Sequence, residues 1–174
     1  TTRGERDMDS SGLAGKSVIV TGGATGIGAA IATSAAQAGA KVIVDYVVSP
    51  EQALAFAAKL ASEDTDGSVE AFDADVSNVS QVQALVAEAV RRYGRLDVLV
   101  NNAGIDTRQS LLDTTEADYD KVLGIDLQGA FLAPRAAARQ FSPQRGARRL
   151  PQPPSPHDAP LCCPRSAPPT CGAR

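Results

Sequence analysis

Thr21-Gly22-Gly23-Ala24-Thr25-Gly26-Ile27-Gly28 is the stretch that decides the fold, because of what stands on either side of it. Before it lies Ser17-Val18-Ile19-Val20, an apolar run too short for a helix, which reads as a buried strand. After it, residues 27–38 are rich in alanine and read as a helix, with Gly39 placed to cap its C-terminus. Each glycine has a physical role in such a strand–loop–helix unit. Gly22 allows the tight turn out of the strand, Gly26 lets backbone approach a pyrophosphate, and Gly28 lets the helix pack close to the sheet. The helix N-terminus then offers free N–H groups and a positive dipole end to phosphates. No Gly-Lys-Ser/Thr follows, which disfavours a mononucleotide P-loop.

The alternation continues outward from this unit. Lys41-Val42-Ile43-Val44 reads as a second strand, and residues 50–60 as a second helix with Pro50 in its first turn. Val69-Glu70-Ala71-Phe72 is a third strand, running into Asp73-Ala74-Asp75-Val76. Asn78 can cap a helix that ends at Tyr93 and Gly94. Leu96-Asp97-Val98-Leu99-Val100 is a fourth strand leading into Asn101-Asn102-Ala103-Gly104. A last helix is expected from about Thr115 to Gln140, with a kink at Pro134. Near-continuous apolar strands alternating with helices predict an α/β fold, a Rossmann-type doubly wound parallel sheet of about four strands. In such a sheet the ligand lies beyond the carboxyl ends of the strands, where the polar motifs of this chain all fall.

The 174-residue sequence changes character near Phe141. Nine of its eleven prolines, all three cysteines (Cys162, Cys163, Cys171) and its single histidine, His157, lie beyond that point. Prolines at this density block helix and central strand. The expected domain organisation is therefore a flexible N-terminus over residues 1–11, an incomplete dinucleotide-binding domain over 12–140, and a disordered Pro/Arg/Cys-rich tail over 141–174. The clustered, odd-numbered cysteines match neither a disulfide framework nor a closed zinc site, so no metal is expected. A net charge of -3 gives no electrostatic reason to expect nucleic acid. Without a long apolar run or a secretory signal, no membrane span is expected and the reading is cytoplasmic.

Thr-Gly-x-x-x-Gly-Ile-Gly, then Asp75-Val76, then Asn101-Asn102-Ala103-Gly104 resemble, in order, the signatures of the short-chain dehydrogenase/reductase family. The resemblance covers residues 12–140 and looks nearest to the glucose-dehydrogenase and ketoacyl-reductase branches. It implies an NAD(P)-dependent oxidoreductase that interconverts an alcohol and a carbonyl by hydride transfer, and a homo-tetramer. It implies cofactor contacts at Thr21, Gly22, Thr25, Gly26, Ile27 and Gly28 in the loop. Asp75 and Val76 would hold the adenine, and Asn102, Ala103 and Gly104 would lie beside the ribose. Asp75 also reads as an acidic cap before the next helix, and the two readings are compatible.

Cofactor choice is read at the end of the second strand, where an acid bonds ribose hydroxyls and repels a 2′-phosphate. Asp45 is acidic, and the family's register puts the usual discriminator one position later, at Tyr46. With no Arg or Lys in the loop or just after Tyr46, the expectation leans to NAD over NADP. In the last helix the family's catalytic Asn position holds Asp126. An ionised Asp accepts but does not donate, so it cannot play both parts of an amide in a proton relay. Asp126 equally reads as an ordinary helix-face charge, and Tyr119 and Lys121 as surface or packing residues.

The family's remaining catalytic groups are a Ser and a Tyr-x-x-x-Lys pair, in which Lys lowers the Tyr pKa and Tyr moves the proton. The residues four before Lys16, Lys41, Lys59 and Lys121 are Gly12, Gln37, Ala55 and Ala117, so the pair does not occur in this sequence. The tail resembles GC-rich coding sequence read out of frame, which implies a truncated or frameshifted family member. The expectation is thus an oxidoreductase by ancestry that is inactive as this chain. The alternatives are a catalytically dead dinucleotide-binding module and a non-functional translation product.

Overall fold

The computed structural model describes residues 12–47, 49–62 and 67–144. The expectations for residues 1–11, and for the tail with its cysteines and His157, lie outside the described residues.

Four strands, β1 (Ser17–Val20), β2 (Lys41–Tyr46), β3 (Ser68–Asp73) and β4 (Val98–Val100), form one sheet in the order β3-β2-β1-β4. Every pairing is parallel, and Val18 stands opposite both Val42 and Val98. The crossovers are α1 (Gly26–Gln37), α2 (Pro50–Ser62) and α3 (Val79–Tyr93). This is the expected doubly wound α/β arrangement.

Strand periodicity explains why the apolar runs are continuous. Val18, Val20, Val42 and Val44 point to one face and pack with Ala32, Ala35 and Ala36 of α1 and Leu60 of α2. Ile19 and Ile43 point to the other, against Leu85, Val86 and Ala89 of α3. Both faces are covered, so both sets of side chains are apolar. Burial of each contributes roughly 1.5–3 kcal/mol. Alanines on α1 let the helix sit close to the sheet. Asn78 caps α3 by accepting the amide protons of Ser80 and Gln81, and Gly94 ends it at φ 76°.

Several expected boundaries differ: β2 runs on through Asp45 to Tyr46, β3 gains a residue at each end, and α2 ends at Ser62. β4 begins at Val98 rather than Leu96; just before it Asp97 donates its backbone N–H to the Ser17 carbonyl at 2.9 Å and accepts the Ser17 N–H on its carboxylate at 3.1 Å. The last helix is three segments, α4 (Glu116–Val122), a π-helical turn (Leu123–Gly129) and α5 (Ala130–Gln144). A capping box between Thr115 and Asp118 starts it. It runs past the expected end at Gln140, and Phe141 packs against the Ile19–Leu85 cluster. Residues 141–144, the first of the stretch expected to be tail, thus belong to this helix. Among the described residues no helix is long and apolar enough to cross a membrane.

Candidate functional site

The carboxyl ends of β1, β2 and β4 converge on one polar knot. Thr21 is fully buried, and its hydroxyl oxygen accepts the backbone N–H of Asn102 at 2.9 Å and of Ala103 at 3.0 Å. The Asn102 side-chain amide returns the interaction, donating to the carbonyls of Thr21 at 2.9 Å and Gly22 at 3.3 Å. The loop after β1 and the loop after β4 are thus tied by reciprocal side-chain bonds. Glycines are required where these loops meet. A Cβ on Gly28 would lie 2.6 Å from Asn102 Nδ2, and one on Gly22, at φ 61°, would lie 2.9 Å from Ala103 Cα.

Above the knot opens a cleft of about 700 Å³, within the range of small-molecule sites. It is lined by Gly22, Thr25, Ile27, Asp45, Tyr46, Asp75, Val76, Asn102, Ala103 and Gly104 among the residues singled out from sequence. Thr21, Gly26 and Gly28 are not on its wall. Thr21 and Gly28 shape the knot beneath, and Gly26 supplies a left-handed turn at φ 55°.

The wall's chemistry suits an anion next to α1. Thr25 precedes that helix in extended geometry, yet its side chain makes no capping hydrogen bond, and the first turn carries no acid. The helix's positive end is left without a side-chain acceptor and faces the cleft. On the far wall Asp75 Oδ1 accepts from both the amide and the hydroxyl of Ser77, at 2.8 and 2.7 Å, in the turn before α3, whose N-cap is Asn78 and not Asp75. Val76 is buried with Val82 and Leu132 in the core below.

Asp45 departs from its expected environment. Its side chain is only 2% exposed, and its carboxylate accepts the Gly22 N–H. Burial pushes its pKa up to about 7, against the lowering effect of the Gly22 hydrogen bond, with the negative charge of Asp75 adding to the rise. Tyr46 is half-buried on the cleft wall.

Asp126 lies in the π-helical turn, exposed, with Oδ1 accepting the Ile105 N–H at 2.9 Å. It is not on the cleft wall, although Gly104 beside it is. The wall instead takes Lys121, Gly124, Ile125 and Gln128. Lys121, read from sequence as a surface or packing residue, is the cation on this wall. The signal was available: positions 121, 124, 125 and 128 form one helical stripe. Ser49 and Gln52, after β2, were also missed, and Ser49 adopts a left-handed φ of 57°.

The sequence from residue 16 to residue 148 matches the family model described as short chain dehydrogenase. Elsinochrome reductase 1 of Elsinoe fawcettii is 41% identical over 135 residues, covering 78% of this chain and 50% of the relative. L-rhamnose 1-dehydrogenase (NAD(P)(+)) of Azotobacter vinelandii is 41% identical, covering 76% and 52%. A short chain dehydrogenase from Burkholderia cenocepacia, solved in complex with NADP, superposes with TM-score 0.68 at 40% identity, covering 74% of this chain and 51% of that one. The chain spans about half the length of the relatives it matches. With the family model matching most of its residues, the chain belongs to the short-chain dehydrogenase family.

Proposed function

We propose that this chain binds an NAD(P) dinucleotide in the cleft above the Thr21–Asn102 knot and supplies the cofactor half of a short-chain dehydrogenase site. One observation carries the reading: the uncapped, acid-free N-terminus of α1 opens onto a cleft of about 700 Å³ at the strand ends. The pyrophosphate would lie at Gly22, Thr25 and the start of α1. The adenine would rest by Asp75 and Val76, and a ribose by Asn102–Gly104. The dinucleotide, when bound, supplies the hydride for an alcohol–carbonyl interconversion.

The proton-transfer half is a separate matter. No Tyr-x-x-x-Lys occurs in the 174 residues, and Asp126 is engaged as an acceptor by Ile105. These residues bind the cofactor and, by themselves, do not turn over substrate. Fluorescence titration of the full chain with NADH and NADPH tests the first half of this reading, with saturable binding expected. No saturation with either would show that the chain is not a dinucleotide-binding module. Turnover of sugars, ketoacyl thioesters or simple alcohols by the purified chain would overturn the second half.

A further inference from the structure

An acid at the end of β2 ordinarily reads the adenosine ribose, and for that its oxygens must face the ligand. Asp45 faces the loop instead. Its carboxylate is committed to the Gly22 amide and is almost fully shielded. Gly22 is gripped on its other sides too, since its carbonyl accepts from Asn102 and its Cα packs against Ala103. Gly23 rests on β2 itself, where an added Cβ would lie 2.6 Å from Val44 Cγ1. The first two residues of the phosphate loop are therefore clamped between β2 and the loop after β4, and Asp45 holds the β2 side. Asp45, Tyr46 and Val47 all border the cleft, but Asp45 is buried where Tyr46 is half-buried and Val47 exposed.

We infer that Asp45 is a positioning residue that fixes the phosphate-binding loop through the Gly22 amide, and that it does not select NAD over NADP. The inference rests on the dinucleotide reading above. It removes the Asp45 ground for expecting NAD and leaves the other, the lack of Arg or Lys in the loop and just after Tyr46. The raised pKa of Asp45 agrees with a carboxyl held away from solvent and facing no cation.

The test measures NADH and NADPH affinities of the full chain, its Asp45→Asn and its Asp45→Ala variants, with circular dichroism to confirm folding. Asn keeps an acceptor for Gly22, so both affinities should stay within about threefold, with their ratio unchanged. Ala removes it, and both should weaken together by at least about tenfold, the loss of one hydrogen bond. A tenfold shift of the ratio toward NADPH in Asp45→Asn would make Asp45 a ribose reader and overturn the inference. So would unchanged affinities in Asp45→Ala. Should the Ala variant not fold, the Gly22 amide resonance of the unmodified chain decides. It should move with pH as Asp45 titrates and stay fixed in Asp45→Asn, and a pH-insensitive Gly22 amide overturns the inference. If the unmodified chain binds neither nucleotide, the dinucleotide reading itself fails and takes the inference with it. Binding with a shifted ratio defeats the inference alone.

Discussion

Asn101 donates its side-chain amide to the carbonyl of Ala130 at 2.9 Å. Four residues after Ala130 stands Pro134, which has no N–H to offer that carbonyl. The side chain at the end of β4 thus replaces a hydrogen bond that the helix cannot make, and it pins α5 to the sheet next to the π-helical turn.

That pairing should be visible as coupling. Asn101→Ala should cost about 0.5–1 kcal/mol in urea unfolding, since the site is exposed and water can partly substitute. In a Pro134→Ala background the helix regains its own donor, so the same substitution should cost less. Strictly additive costs in the double-mutant cycle would show that Asn101 does not stand in for the missing N–H.

Thr21 carries a larger stake, because one hydroxyl oxygen serves two amides under the cleft. Thr21→Val keeps the shape and leaves the Asn102 and Ala103 N–H groups without that acceptor. The expected cost is roughly 2–4 kcal/mol. Thr21→Ser retains the oxygen and should lose less than about 1 kcal/mol. Equal losses for the two variants in denaturant unfolding would point to the methyl group rather than the hydrogen bonds.

The residues differ in how far their sequence surroundings reveal their roles. The sheet is legible because Val18–Val20 and Val42–Val44 are apolar on both faces, a pattern that only a doubly covered strand needs. Gly94 and Asn78 are legible as helix ends because capping is a local matter. Asp45 is not, since whether its carboxylate turns to the ligand or to Gly22 depends on a loop 23 residues away. The π-helical turn is hidden for a similar reason. Gly129 meets Val76, where an added Cβ would lie 2.8 Å from Cγ2, and that approach depends on the packed fold rather than on the helix's own periodicity.

Two glycines in the site should respond in opposite ways to alanine. At Gly28 the new methyl meets Asn102 Nδ2 and Gly23 Cα, at 2.6 and 2.9 Å, so the knot must shift. Gly28→Ala should lower stability by roughly 1–3 kcal/mol and weaken dinucleotide binding. At Gly124 the nearest atom is Ser77 Cβ at 3.7 Å, an ordinary contact, and the backbone is helical. Gly124→Ala should be neutral or stabilise by about 0.5–1 kcal/mol. Thermal unfolding of the two variants checks this, and a matching loss in both would mean that the space beside Gly124 is needed.

Asp45 also sets a pH dependence of an uncommon sign. In the unfolded chain it ionises near 3.8, and in the fold only near 7. Between those values the folded protein holds one more proton than the unfolded chain, so stability falls as pH rises. The fall should approach about 4 kcal/mol across the window and level off above pH 7. Glu88 and Asp118, held below their ordinary values by Arg91 and by Thr115, act in the opposite sense but at more acid pH. Among the described residues, Asp45 is thus the group whose shifted value falls between pH 5 and 7, and comparison with Asp45→Asn cancels what the rest of the chain contributes. Urea unfolding across that interval should show stability falling in the unmodified chain and nearly constant in Asp45→Asn. Stability that rises with pH there, or an equal slope in the variant, would mean that the Asp45 carboxyl is ionised in the fold well below pH 7.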